Sequence, residues 1–599
     1  MAHTHSSSNN KIQSYIPKKR LPAIILSAVF LFSLIFVKLI YVMIVEGSDL
    51  QVKALNQWTR DLPSDAPRGE ILDRNGEILA GTSTRYNIYV RPNSVENKEN
   101  LATIIAEIFG FEKSKVLEKI SKRVSEVTIA TKVTKEAMTQ LFESGAKGIY
   151  YSEDNFRYYP NGDFMTQVLG FTGADGNGQT GLESYYDKYL TGVNGAIITE
   201  TDLIGREIGG GKSYYLPSIS GLNVQTTLDA RIQRIVEGVV DKAVSLYNPK
   251  AVACLVMDYT NGEIISLAEY PSFDLNDVPR NDLEKLFSAS KSMLVSSVYE
   301  PGSTFKILTA ASALDSSVMS TKNRFYCSGS RVVDGKKIRC WKTKGHGSID
   351  YGQGVESSCN CVFMDSALAM GTDRFYTYLK NFGLKTKTGV DMVGETSGLF
   401  IDQSVVKPVD LARIGFGQAV AVTPIGMMTA CSAVINGGKT VYPHLVKAVF
   451  DKQGNSIDNI YVARESKRVI REETSATMRK LLERVVTNGS GKGAGVNGYS
   501  IAGKTGTAQK YENGAIAQGK YISSFLGFSL ESDAPYGVLL IVDEPQGYVY
   551  YGSLVAAPLV GDIYKSIFDL LKVAPSNTLD VESGFNPENI DEYIDLIEE

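Results

Sequence analysis

The sequence predicts an α+β protein carried on a single N-terminal transmembrane helix, and three observations support that reading. Leu21 to Val37 is apolar without a charge, and after Lys38 the apolar character continues through Val45. Strand signals occur near residues 223 to 268 and return from about 499 to 544, while helical patterns dominate from about 303 to 440. Strands at both ends of a region with helices between them imply an antiparallel sheet flanked by helices. Ahead of that region, residues 46–216 read as a mixed α/β domain of many short segments.

Residues 1–20 form a polar tail ending in Lys18, Lys19 and Arg20. The apolar stretch at 21–45 is long enough to cross about 30 Å of hydrocarbon at about 1.5 Å per residue. A cleavable signal peptide is the alternative, but its apolar core usually spans only about 7–15 residues and a small-residue cleavage pattern follows it. No such pattern follows here, so an anchor is favoured. The basic cluster precedes the helix, which keeps the tail in the cytoplasm and places the remaining domains outside the cell membrane.

The composition of the 599 residues is that of an ordinary globular chain, with 43% hydrophobic, 21% charged and 10% aromatic residues. Mainly disordered, collagen-like and polytopic membrane classes are thereby excluded. Lys and Arg number 62 against 66 Asp and Glu, a net charge of -4 that gives no reason to bind nucleic acid. Of four histidines, His3 and His5 lie in the tail, so a histidine-based triad would depend on His346 or His444.

Within 46–216, Asn75-Gly76 marks a hairpin turn between short apolar segments, and Gly181-Leu-Glu183 opens a helix. Neither motif carries a nucleophile, and both read as structural. The next region, 217–572, begins with a strand at Val224, an N-cap at Asp229 and an amphipathic helix through Ile232, Ile235, Val236 and Val239. A hairpin follows, formed by Ala251–Met257 and Glu263–Ala268 around Asn261-Gly262. After residue 572 the chain becomes an acidic tail, 573–599, with eight Asp or Glu between Asp580 and Glu599 and no Lys or Arg there.

The chemistry lies in three short motifs. Tyr299-Glu-Pro-Gly302 turns into Ser303-Thr-Phe-Lys306, followed by an apolar helix. The turn puts Ser303 at the positive end of a helix dipole, with Lys306 one turn away on the same face and its amine within reach of the Ser303 oxygen. A lysine among apolar groups loses proton affinity and can serve as the base that histidine supplies elsewhere. Ser358-Cys-Asn360 adds a hydroxyl to relay a proton and an amide to hold both Lys306 and a substrate. Lys504-Thr-Gly-Thr507 reads as an edge strand where Gly506 permits close approach. The Thr507 and Ser303 N–H groups would form an oxyanion hole, while Lys504, Thr505 and the Thr507 hydroxyl would bind a terminal carboxylate.

These motifs follow one another at intervals of about 55 and 145 residues, the order described for penicillin-binding proteins and β-lactamases. With Arg68-Gly-Glu-Ile-Leu-Asp-Arg-Asn-Gly76, Gly181-Leu-Glu183, Gly415-Phe-Gly-Gln418, Val422-Thr-Pro424, Tyr551-Gly-Ser553 and Ala556-Ala-Pro558, the chain resembles class B penicillin-binding proteins from Arg20 to about Val573. These are monofunctional D,D-transpeptidases, and the resemblance is to their cell-division and sporulation type. It implies that residues 46–216 form an N-terminal pedestal domain and 217–572 a penicillin-binding, β-lactamase-like transpeptidase domain. It also implies a Ser303 acyl-enzyme formed on stem peptides ending in D-Ala-D-Ala, with Lys306, Ser358, Asn360 and Lys504 as the proton network. β-Lactams would acylate the same serine. A polytopic membrane glycan polymerase would be the partner, and catalysis would need no cofactor. Two other readings use the same fold: a β-lactam-hydrolysing or sensing protein, which has no need of a long spacer before residue 220, and a wall-synthesis scaffold with dispensable activity.

Cys327, Cys340, His346 and Cys359 share one short window. Three thiolates and an imidazole make a tetrahedral zinc set, expected here as a structural site beside the active site, although the tight pairs of a zinc ribbon are missing. A Cys327–Cys340 disulfide and free thiols are the alternatives. Cys361 competes with Cys359 for the fourth place. If Asn360 faces the cleft, its two neighbours should not both face the same way, which favours Cys359.

Overall fold

The computed structural model describes residues 20–47, 49–50, 53, 59–124, 126–200, 213–457, 464–512 and 515–576. The tail before Arg20 and all of the acidic tail from residue 577 lie outside the described residues.

Arg20–Ile44 is one helix of 25 residues, its most apolar 18-residue window having a mean hydropathy of 2.7, and none of its residues is buried. It belongs to a unit comprising residues 20–65 and 194–218. That unit also holds a three-stranded antiparallel sheet of Thr59–Ser64, Gly195–Glu200 and Ser213–Leu216.

Residues 66–193 and 219–576 form the second unit. The Asn75-Gly76 turn joins Ile71–Leu72 to Ile78–Val90 as the sequence predicts. Asp73 Oδ1 accepts from the Asn75 and Glu77 N–H groups, and Gly76 takes the positive φ of 89° that the turn requires. Behind this hairpin, Glu183 is fully buried between two guanidinium groups, with Arg68 Nε and Arg157 Nε each 2.6 Å from one of its oxygens. The two sequence motifs of the region therefore meet at one buried ion pair. Strand Asn223–Thr226 runs parallel to Ile71–Leu72 on one side and pairs with Val446–Phe450 on the other. One sheet thus continues across residue 216.

The larger sheet is wholly antiparallel, in the order Ile264–Tyr270, Ala251–Asp258, Tyr536–Asp543, Ala515–Ser529, Ile501–Glu512. Both ends of the domain contribute strands and the segment between them contributes helices, as the pattern predicts. Asp229 caps helix Ala230–Tyr247, which packs on one face. The helix Lys306–Asp315 is buried from Lys306 to Ala313, so it serves as the spine of the helical layer. Cys254 and Cys431 are core residues with no exposed surface. Beyond the Lys504–Thr507 segment, Tyr511 pairs with Ile516 in the long edge hairpin.

Helices do not fill the whole of 303–440. Two antiparallel ribbons interrupt them: Arg324–Cys327 with Gly347–Asp350, and Ser330–Val333 with Lys336–Arg339. Asp334 and Gly335 make the tight turn of the second, with φ values of 49° and 71°.

Candidate active site and cysteine cluster

Gly302–Phe305 forms a single 3-10 turn leading into the buried helix, which puts Ser303 at the helix entrance and Lys306 inside. Gly302 has φ 53°, and its N–H donates to Gly417 O at 3.0 Å. A side chain at Gly417 would collide with Gly302 O at 2.0 Å, so the Gly415-Phe-Gly-Gln418 motif acts as the seat of the serine turn.

Lys306 Nζ is fully buried and uses all three protons. It donates to Ser358 O at 2.7 Å, Ser358 Oγ at 3.0 Å and Asn360 Oδ1 at 2.7 Å. The sequence predicts a contact with the Ser303 oxygen, but Ser303 Oγ makes no hydrogen bond among the described residues. An ammonium has three donors, and here the Ser358–Asn360 loop takes them all. Only on losing a proton does Lys306 gain a lone pair to offer Ser303. Burial makes that loss easier, lowering Lys306 to about 8 against the opposing pull of Cys340, Cys359 and Cys361.

Ser358 adopts φ 54°, an uncommon conformation for a residue with a side chain. Several contacts hold it there. Lys306 Nζ grips its carbonyl, and the indole N–H of Trp341 donates to Ser357 O at 3.1 Å. Asn360 Nδ2 donates to Arg339 O at 3.3 Å, which fixes the amide with its oxygen toward Lys306.

Ile501–Glu512 is the edge strand of the large sheet, as predicted, and Lys504 and Gly506 share the face toward the serine turn. A Cβ at Gly506 would lie 2.4 Å from Ser524 Oγ, 3.0 Å from Thr304 Cγ2 and 3.2 Å from Pro301 O, so glycine favours the close approach of the strand to the serine turn. Lys504 Nζ is buried with no hydrogen-bond partner. Burial, then the Lys306 charge, pushes Lys504 well below its ordinary value. Thr505 Oγ1 is 2.9 Å from Ser490 Oγ, and Thr507 Oγ1 accepts from Gly552 N–H at 2.9 Å, keeping its own proton free to donate. Ser490 and Trp341 carry no sequence signal of their role, whereas Gly552 lies in the Tyr551-Gly-Ser553 motif.

The ligand atoms of Cys327, Cys340, His346 and Cys359 all lie within 4.8 Å of one another. All six cysteines are free, so the Cys327–Cys340 disulfide is not formed. Cys340 Sγ is 3.7 Å from His346 Nδ1, close to the edge of a tetrahedron built on metal–ligand bonds of about 2.0–2.3 Å. Burial works to lower His346, but the thiols of Cys340, Cys359 and Cys327 prevail and raise it to about 10. Cys361 also reaches this cluster, 3.5 Å from Cys327 Sγ. Both neighbours of Asn360 face the same way, against expectation, because Ser358 and the non-helical Cys359 turn the chain sharply just before the helix begins.

A serine at a helix entrance, a buried lysine one turn on and an edge strand presenting a second lysine are the arrangement of a serine acyltransferase of the penicillin-recognising fold. The penicillin binding protein transpeptidase domain model matches residues 252–565, and the penicillin-binding protein dimerisation domain model matches 63–226. The chain belongs to this family, as a class B penicillin-binding protein. It is 37% identical over 569 residues to stage V sporulation protein D of Bacillus subtilis, covering 94% of this chain and 88% of the relative. It is 26% identical over 520 residues to the peptidoglycan D,D-transpeptidase FtsI of Escherichia coli, covering 85% and 84%. Among solved structures, penicillin-binding protein 2X of Streptococcus thermophilus superposes with a TM-score of 0.74 at 23% identity, over 86% of this chain and 81% of that one. Penicillin-binding protein 3 of Mycobacterium tuberculosis, solved with aztreonam, gives 0.66 at 24% identity, over 86% and 99%.

Proposed function

We propose that the protein crosslinks peptidoglycan as a D,D-transpeptidase working through a Ser303 acyl-enzyme. One observation carries this reading: the fully buried Lys306 ammonium gripped by Ser358 and Asn360, one turn from an uncommitted Ser303 hydroxyl. Once neutral, Lys306 takes the Ser303 proton as Oγ adds to the penultimate D-Ala carbonyl of a stem peptide. The N–H groups of Ser303 and Thr507 receive the oxyanion. Collapse breaks the amide bond to the terminal D-Ala, whose nitrogen takes a proton relayed through Ser358. An amine of a second stem peptide then attacks the ester, forming the new amide and returning the proton to Ser303. Lys504, Thr505 and Thr507 hold the terminal carboxylate, and the partnerless Lys504 Nζ supports that assignment. Asn360 orients Lys306 and the substrate amide.

A β-lactam offers a strained amide and a carboxylate in the same relation, so it acylates Ser303 in the same way. Replacing Ser303 with Ala is expected to abolish labelling by fluorescent penicillin together with crosslinking. Retained wall synthesis in cells carrying Ser303→Ala would instead support the scaffold reading.

The proposed organisation is a cytoplasmic tail at 1–20, an anchor at 21–45, a pedestal at 46–216, a transpeptidase domain at 217–572 and an acidic tail at 573–599. The helix Arg20–Ile44 supports a single membrane crossing with the catalytic domain outside, and a polytopic membrane polymerase supplies the glycan strands.

Cys327, Cys340, His346 and Cys359 fit a structural zinc ion in donor type and spacing. When bound, the ion ties the two ribbons to the start of the helix that carries Asn360 and takes no part in bond making. The purified protein is expected to hold about one zinc per chain, with a chelator lowering its unfolding temperature. Absence of zinc, or an unfolding temperature indifferent to the chelator, would sink the assignment.

A further inference from the structure

The segment 321–349 carries eight Lys or Arg and a single acid, Asp334, in a chain whose net charge is -4. Only Arg331 is paired, with Asp365. Lys322, Arg324, Lys336, Lys337, Arg339 and Lys344 are exposed, and their side chains form no ion pair among the described residues. The two ribbons explain how these charges are arranged. Side chains alternate across a strand, and cross-strand partners share a face. In the second ribbon Val332 stands opposite Lys337 and Ser330 opposite Arg339, while Val333 and Ile338 are buried on the reverse face. In the first, Arg324 and Tyr326 face solvent, and Ile349 is buried. The outward faces therefore carry Arg324, Lys337 and Arg339 with Tyr326 and Val332 exposed beside them, whereas Lys336, opposite buried Val333, belongs to the reverse face.

This surface adjoins the site. Asn360 Nδ2 donates to Arg339 O, and Trp341 donates to the carbonyl of Ser357, the residue before the relay serine. The end of the second ribbon and Trp341 thus abut the Ser357–Asn360 loop, which also holds Lys306. The donor's carboxylate is assigned to that strand, so the cations on the ribbon side have no role in binding the donor.

We infer that the outward face of the ribbons is the docking site of the acceptor strand, and that it selects stem peptides bearing free carboxylates. This inference rests on the transpeptidase reading and names the acceptor class for the same cleft. Unpaired cations beside a cleft raise the local concentration of an anionic peptide and orient it, an effect that salt weakens. The acceptor then approaches the acyl-enzyme along the wall that carries Ser358.

The test uses the full chain in detergent, with a donor peptide ending in D-Ala-D-Ala and two synthetic stem-peptide acceptors that differ only in having free or amidated carboxyl groups. In the double variant Lys337→Gln, Lys344→Gln, the KM for the carboxylated acceptor is expected to rise roughly three- to fivefold. The KM for the amidated acceptor and the rate of Ser303 labelling by fluorescent penicillin should stay within about twofold of the parent. Moderate salt should reproduce the loss in the parent protein. Equal effects on both acceptors, or none on either, would overturn the inference while leaving the acyl-enzyme intact. So would carbodiimide crosslinks showing the acidic segment 577–599 seated on these lysines. Failure of the parent protein to label at Ser303 would overturn both this inference and the function on which it rests.

Discussion

Lys306→Met is expected to slow acylation of Ser303 by a fluorescent penicillin by roughly 10²- to 10⁴-fold, the usual contribution of a positioned general base. Methionine matches the lysine stem in length and is suited to the apolar part of the site, beside Phe363. It removes a buried charge rather than creating one, so folding should survive. The base works when neutral, and burial lowers Lys306 to about 8. The parent's acylation rate should therefore rise with pH through about 8 and then level off, because the inactive ammonium form prevails below that value. The variant's residual rate should lack this step. Labelling of Lys306→Met at the parental rate with an unchanged pH profile would mean that another group activates Ser303.

The largest effect on stability is expected from Glu183→Ala. Glu183 is completely buried, while the side chains of Arg68 and Arg157 are only 9% and 6% exposed. Removing one partner of a buried ion pair leaves uncompensated charge and typically costs about 3–5 kcal/mol. Here two guanidinium groups lose their carboxylate at once. Arg68 retains Asp187 at 2.8 Å, and Arg157 retains the Gly69 carbonyl at 2.7 Å, so the loss is not total. Denaturant unfolding monitored in the N-terminal region should register the change, with Glu183→Gln milder because it keeps an acceptor. A midpoint unmoved by Glu183→Ala would show that the pair does not support the fold.

The three motifs proposed to carry the catalysis are legible in the sequence because each is a local construction. A turn at a helix entrance and a strand segment dictate their geometry within a few residues, and glycine at 302 and 506 marks the close approaches. The partners of those motifs are another matter. Nothing near Lys306 in the chain shows that Ser358 and Asn360 will take all its protons, because the contact depends on packing two helices more than 50 residues apart. Ser490 reads as part of a Gly-rich loop until the edge strand lays Thr505 against it. The ribbons at 324–350 are hidden for a different reason. Their strands are only four residues long, too short for alternation to stand out, and the strong Asp334-Gly335 turn is the one local cue. The cysteine cluster is legible as a donor set, but its fifth member is not. Cys359 is an extended N-cap and Cys361 already lies in the first helical turn, so strand alternation does not apply between them and both reach the cluster.

The sheet that runs from Ile71 through Val224 to Val446 has a consequence for biosynthesis. Strand Asn223–Thr226 is synthesised long before its second partner, Val446–Phe450. Until more than 200 further residues have been made, that edge has unpaired amides and carbonyls. The N-terminal region therefore cannot reach its finished form as an autonomous early product. Its completion reports that most of the catalytic domain has already arrived, which places assembly of the two regions in one late, shared step.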